Sequence, residues 1–160
     1  MKKLPSPHRP RTLVPIPYVD AVDYDVMNEL VGYSLRRAQI AMFLAFHEAT
    51  RGLDVTPPRF SALVLVGANP GISQSLLGEA LGMARSNAKT LVDWMEERAL
   101  AERRPREDDR RAWGLYLTAP GARLVERMKR RVLEEDRRRA ARLGTAGRRQ
   151  LLALLRKLAG

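Results

Sequence analysis

The chain contains no cysteine, so neither a disulfide nor a thiolate metal site is open to it. Its two histidines are His8 and His47. The segment from His47 to Arg51 (HEATR) lacks the second histidine that a helical zinc site requires. No G-x-x-x-x-G-K-[ST] or G-x-G-x-x-G stretch occurs, which removes the phosphate-cradling loops. The acid pairs Glu96-Glu97 and Glu134-Glu135 fall on expected helices, where adjacent side chains diverge instead of converging on one substrate. These absences predict a protein without catalysis, cofactor or metal. No apolar run reaches the ~18 residues a membrane span needs. Lys2 and Lys3 are not followed by an apolar stretch of the secretory type. The expectation is a cytoplasmic protein with no membrane partner.

What is present is positive charge and helical periodicity. The net charge is +11 across 160 residues, which favours a polyanionic partner. The excess is uneven: residues 122–160 hold 13 Lys or Arg against 4 acids, and residues 1–121 hold 16 against 14. From Ser73 onward, Leu77, Ala80 and Leu81 supply a small apolar face, and Gly82 stands where a tight turn needs a residue without a Cβ. Ala88, Leu91, Val92 and Met95 then recur at helical spacing and leave Arg85, Ser86, Asn87, Lys89 and Thr90 on the outside. This reads as a helix-turn-helix whose second helix enters the DNA major groove with its early residues facing base edges. Leu100 to Arg104 and Ala112 to Thr118 can pair as strands, with Trp113, Leu115 and Leu117 alternating onto one face. The loop between them carries Arg106, Arg110 and Arg111 against Glu107, Asp108 and Asp109. A hairpin with arginines at its tip suits the narrow, electronegative minor groove. Asp109 is placed to hold Arg111 in position.

The stretch NPGISQSLLGEALGMARSNAKTLVDWMEERALAERRPREDDRRAWGLYLTAPG, from Asn69 to Gly121, resembles the MarR family of bacterial winged helix-turn-helix regulators. Asp109-Arg110-Arg111, followed seven residues later by Thr118 and then Gly121, matches the wing signature, and Glu97 to Leu100 closes the recognition helix. The resemblance runs from about Tyr24 to the C-terminus. It implies a mainly α fold with a small β-hairpin wing, in which dimerisation helices at about 23–50 and 119–159 flank a winged helix-turn-helix at about 55–118. Residues 23–160 would form a single domain behind a proline-rich tail at 1–22. Two positions depart from the pattern. Ala99 replaces the usual glycine at the helix exit, and Ala84 replaces a frequent capping aspartate, each change costing on the order of 1 kcal/mol. The absence of cysteine sets the chain apart from the family members that sense oxidants through a reactive thiol.

Elsewhere the pattern is helical. Residues 1–19 hold five of the ten prolines and read as a disordered tail, or as an arm that wraps a second subunit or touches phosphate. An unbroken helix is expected from Asp23 to about Thr50. Thr56 should cap a second helix, with Pro57 at its first position. Thr118 should cap a third long helix, and Thr145 a last one after Gly144. Met27, Met42, Met83, Met95 and Met128 sit in apolar patterns and read as core. Arg137 to Arg139 read as a solvated helix face, or as a source of long-range attraction to DNA or an anionic ligand. The last helix places Leu151, Leu152, Leu154, Leu155 and Leu158 within eight residues, an apolar surface suited to a protein interface. By resemblance, the terminal helices interleave with a twofold partner. That sets two recognition helices about 34 Å apart on a pseudo-palindromic DNA site.

The resemblance also implies a small-molecule effector. Tyr33, Arg36, Arg37, Phe43, His47, Phe60 and Trp113 are the candidates, and aromatic walls plus a cation suit an aromatic carboxylate or an acyl thioester of coenzyme A. Set beside that, Phe43 and Phe60 read first as core and His47 as a satisfied or solvent-facing histidine, and Arg36 or Arg37 reads equally as a partner of Asp25 or Glu29. The expected function is a ligand-responsive, homodimeric, sequence-specific repressor. A low-specificity architectural DNA-binding protein is the alternative, motivated by the basic excess of residues 122–160.

Overall fold

The computed structural model describes residues 16–106 and 112–160. Asp109, Arg110, Arg111 and the tail up to Pro15 lie outside the described residues. The chain divides into two compact units at the junction of Ala45 and Phe46.

In the first unit the expected unbroken helix from Asp23 is replaced by two pieces. Asp25–Asn28 form a 3-10 turn, and α1 spans Val31–Ala49, continuing into the second unit. The break has a local cause. The Asp23 carboxylate accepts the Asp25 backbone N–H at 2.9 Å, an Asx turn that competes with helix. Asp25 itself takes φ +45°, which an α-helix does not allow. The turn is held by Tyr18, whose hydroxyl donates to Asn28 Oδ1 and whose ring lies 4.5 Å from that of Tyr24. Met27 and Met42 are each 38% exposed, so neither is the core methionine their spacing suggests.

In the second unit α2 (Pro57–Ala68), α3 (Gln74–Ala80), α4 (Arg85–Glu97), β1 (Ala101–Pro105), β2 (Trp113–Leu117), α5 (Ala119–Ala140) and α6 (Gly144–Ala159) follow in order. The first five of these and the N-terminal half of α5 surround one apolar core. Leu63, Leu77, Met95, Leu115 and Met128 are fully buried in it. The sheet is a two-stranded antiparallel hairpin in which Ala101 faces Leu117 and Pro105 faces Trp113. An isolated bridge from Ile72 to Leu115 ties its base to the turn before α3. The mainly α architecture with a hairpin wing is the one expected.

The caps differ in mechanism. Ser73 Oγ accepts the Leu76 N–H at 3.2 Å, and Thr118 Oγ1 accepts the Gly121 N–H at 3.1 Å, as side-chain caps should. Thr56 is the N-cap of α2 without a side-chain bond. Pro57 and Pro58 carry no N–H there, so the first turn has fewer donors to satisfy. Thr145 caps nothing: a 3-10 turn at Ala141–Leu143 leads into Gly144 at φ +64°, and α6 begins at that glycine. Ala80 is exposed instead of completing the apolar face of α3. Gly82, at φ +61°, makes the turn between α3 and α4 where a Cβ would be strained.

Ala99 adopts φ +51° at the exit of α4, a left-handed conformation that costs an L-residue roughly 1–2 kcal/mol. Ala99→Gly is expected to raise stability by up to about 1 kcal/mol, the relief being partly offset by the freer unfolded chain. Urea denaturation checks this; a lower midpoint would contradict it.

Candidate nucleic-acid interface

The helix-turn-helix is built so that α4 has one apolar side and one polar side. Ala88, Leu91, Val92, Trp94 and Met95 are buried, because they recur at helical spacing over the core. Arg85, Ser86, Asn87, Lys89 and Thr90 are all exposed on its N-terminal half. Gly78 lets α3 approach closely, since a Cβ there would lie 2.9 Å from that of Ala88. Ala84 is the N-cap and makes no side-chain bond.

Two of the five exposed residues have internal partners. Lys89 Nζ donates to Asp93 Oδ2 at 2.6 Å, and Thr90 Oγ1 donates to the Ser86 carbonyl at 3.1 Å. The side chains of Arg85, Ser86 and Asn87 have no partner among the described residues. The Lys89 hydrogen bond, with Arg103 adding charge, holds the Asp93 carboxyl below the usual carboxylate range. Arg103, on β1, binds three groups at once. It donates to Gln74 Oε1 on α3 at 2.9 Å and to Glu96 Oε2 on α4, and it lies 3.6 Å from Asp93 Oδ1. The wing is thereby tied to both helices of the helix-turn-helix. Sequence reasoning missed this residue, because its partners become neighbours only once the hairpin folds back.

A second tie sits behind α4. The buried Trp94 ring lies under Arg59, at 4.4 Å, and Arg98, at 5.2 Å. Asp54 receives both guanidinium groups, at 3.5 and 3.0 Å. On the wing, Arg104 covers Tyr116 at 4.2 Å, and the Arg106 N–H bonds the Ala112 carbonyl at 2.9 Å. Trp113 stands 61% exposed, although its strand alternation places it on the same face as buried Leu115. The core beneath that face ends before Trp113 is reached.

The effector candidates are distributed as follows. In the first unit Tyr33 and Arg37 come together, the guanidinium lying 5.8 Å from the Tyr33 ring and 4.5 Å from that of Tyr18. Arg37 also donates to the Ile16 carbonyl at 3.4 Å, so the expected pairing with Asp25 or Glu29 is not made. Arg36 and Phe43 are exposed. In the second unit His47 is exposed, with its ring edge-on to Phe46 at 6.1 Å. Phe60 packs on Phe46 at 5.6 Å at the margin of the core, and Trp113 stands on the wing. On α5, Arg138 and Arg139 both bind Glu135, at 2.5 and 3.1 Å. Arg139 first, then Arg138, keep that carboxyl below its usual range. Two of the three arginines at 137–139 are thus engaged within their own helix.

A helix-turn-helix with a tied hairpin beside it defines a winged-helix DNA-binding regulator. The MarR family model matches residues 53–112. A putative transcriptional regulatory protein for the hcr operon of Thauera aromatica is 37% identical over 129 residues, covering 80% of this chain and 78% of that protein. The transcriptional repressor CouR bound to a 23-mer DNA duplex is 34% identical, with a TM-score of 0.81 over 87% of this chain and 99% of that one. CouR bound to p-coumaroyl-CoA is 33% identical, with a TM-score of 0.76 over 86% and 97% of the two chains. The chain belongs to the MarR family. It is a transcriptional regulator and not an enzyme. Among the described residues no helix is long and apolar enough to cross a membrane.

Proposed function

We propose that the protein is a cytoplasmic, homodimeric repressor that occupies a pseudo-palindromic operator and releases it when an aromatic acid or its coenzyme A thioester binds. The observation that carries this reading is the outer face of α4. Five polar or basic side chains stand exposed on a helix whose other side is anchored in the core. In this reading Arg85, Ser86, Asn87, Lys89 and Thr90 serve the major groove and the adjacent phosphates. Arg106 contacts the backbone, and Arg110 and Arg111 enter the minor groove with Asp109 orienting Arg111. Lys89 leaves Asp93 when a phosphate replaces it.

The twofold partner is supported by α6. None of its residues is buried, and Leu151, Leu154 and Leu158 are 43%, 56% and 60% exposed. A stripe of that size gains stability only by being covered. The effector class is supported by the p-coumaroyl-CoA complex of CouR and by the aromatic and cationic side chains Tyr33, Arg36, Arg37, Phe43, His47 and Phe60, while Trp113 belongs to the wing. An incoming carboxylate or phosphate would compete with Tyr18 and the Ile16 carbonyl for the Arg37 guanidinium. Binding that favours one spacing of the two recognition helices lowers DNA affinity by the ligand's differential affinity for the two states.

The test is a selection of bound fragments from the source organism's DNA at about 0.15 M salt. A few palindromic fragments, favoured by ~10³ or more over unrelated DNA, are expected. Unrelated fragments held at similar affinity would overturn the reading and leave the architectural alternative. On a selected fragment, Asn87→Ala is expected to cost about 1–3 kcal/mol at one base position and little at the others. Titration against single-base variants of that fragment checks this.

A further inference from the structure

Of the chain's two tryptophans, one is spent on the fold and the other is not. Trp94 is 6% exposed and clasped by two arginines. Trp113 is 61% exposed and has no ring or hydrogen-bond partner among the described residues. It does not sit on a loose loop. It faces Pro105 in the last pair of the hairpin ladder, and the bond from Arg106 N–H to the Ala112 carbonyl, at 2.9 Å, holds the strands together one step further out. The next two residues, Gly114 and Leu115, are buried. A large indole is therefore held in water on a rigid mount, where covering it would be favourable.

The surroundings select the occupant. Arg104 lies on the facing strand, 3.3 Å from Glu102, Arg106 follows the end of that strand, and the loop adds Arg110 and Arg111 with Glu107, Asp108 and Asp109 in sequence. The hairpin is tied through Arg103 to α4, whose exposed outer face is the proposed groove-reading surface, so a duplex lying on α4 passes beside the wing.

We propose that Trp113 is a DNA-contacting residue, its ring packed against the sugar–phosphate wall of the minor groove beside the wing. This rests on the DNA-binding reading above. An indole offers a flat apolar face to a deoxyribose and one N–H donor to a phosphate oxygen. It neutralises no phosphate charge, so its contribution is independent of salt.

The experiment uses the full chain and a duplex recovered in the fragment selection. If the selection yields no preferred duplex, the regulator reading itself has failed; with such a duplex in hand, the result bears on Trp113 alone. Trp113→Ala is expected to weaken binding about tenfold, equivalent to about 1.4 kcal/mol, with the salt dependence of affinity unchanged. Trp113→Phe keeps most of the affinity. In the unsubstituted protein, duplex binding shifts tryptophan emission to shorter wavelength and protects it from acrylamide, since Trp94 is already shielded. Unchanged affinity in Trp113→Ala, or emission and quenching that ignore the duplex, would overturn the proposal. So would a loss accompanied by a shallower salt dependence, because the wing's cations would then have been lost with the ring.

Discussion

Gly121→Ala is expected to abolish cooperative folding of the second unit or to lower its melting temperature by roughly 10 °C or more. A Cβ at this position would lie 1.9 Å from the Leu100 carbonyl oxygen, 2.8 Å from the carbonyl carbon and 3.1 Å from its Cα. All three atoms are backbone, so no side-chain rotation relieves the clash. The backbone is also fixed from both sides. The Leu100 carbonyl accepts the Thr118 N–H at 3.1 Å, and Thr118 Oγ1 donates to the Ala99 carbonyl at 2.6 Å while accepting the Gly121 N–H. These bonds fasten the first turn of α5 to the exit of α4, and an added methyl group must push the two apart. A cost above about 4 kcal/mol is a large part of the 5–15 kcal/mol that holds a domain folded. Thermal and urea unfolding of the variant measure it. Gly32→Ala is the contrast, because a Cβ there meets nothing within 4 Å on α1 and should stabilise by up to about 1 kcal/mol. Equal melting temperatures for the two variants would refute the close junction.

The second large effect is expected from Arg103→Ala. The substitution removes the hydrogen bonds to Gln74 and Glu96 and the approach to Asp93. It leaves two carboxylates of α4 facing each other without their shared cation. Because the Arg103 side chain is 33% exposed, the stability loss should be about 1–2 kcal/mol, less than for a buried pair. The larger consequence is for DNA. With the tie gone, the wing is held to the reading helix only through its base, by the Ile72–Leu115 bridge and the backbone bonds at Leu100. Affinity for a selected operator should fall about tenfold, equivalent to about 1.4 kcal/mol, and discrimination between operator and unrelated duplex should narrow. Arg103→Lys should not restore it, since one ammonium cannot span the set that a planar guanidinium reaches. Binding titrations on both duplexes, alongside calorimetry, separate the two effects. The Asp93 carboxyl is held below its ordinary value of 3.8, chiefly by the Lys89 hydrogen bond. Its contribution is complete above that value and is lost as the pH falls through the lowered one.

Local chemistry made much of this molecule legible in its sequence. The period of Ala88, Leu91, Val92 and Met95 fixes which side of α4 is buried, and so which residues stand outside. Ser73 and Thr118 announce helix starts because their hydroxyls reach an N–H three residues on. Such readings work because the interacting groups lie within one or two helical turns. They fail where a short-range competitor is overlooked, as at Asp23, whose carboxylate captures the Asp25 N–H and breaks the first helix.

The tertiary structure decided the rest. Arg103 is 29 residues from Gln74, and no spacing rule connects a strand residue to a helix that far away. Arg37 finds the Tyr18 ring and the Ile16 carbonyl, 19 and 21 residues back, in place of Asp25 or Glu29. Trp113 shares the strand alternation of Leu115 but not its burial, because alternation states which face a side chain takes and not how far the core extends beneath it. Where the core stops depends on Ile72, the helices and the hairpin meeting at one place. The sequence by itself determined the helix-turn-helix, the hairpin and the family. Only the folded chain determined which side chains are tied to one another and which are left to meet DNA, because those contacts join residues that periodicity does not relate.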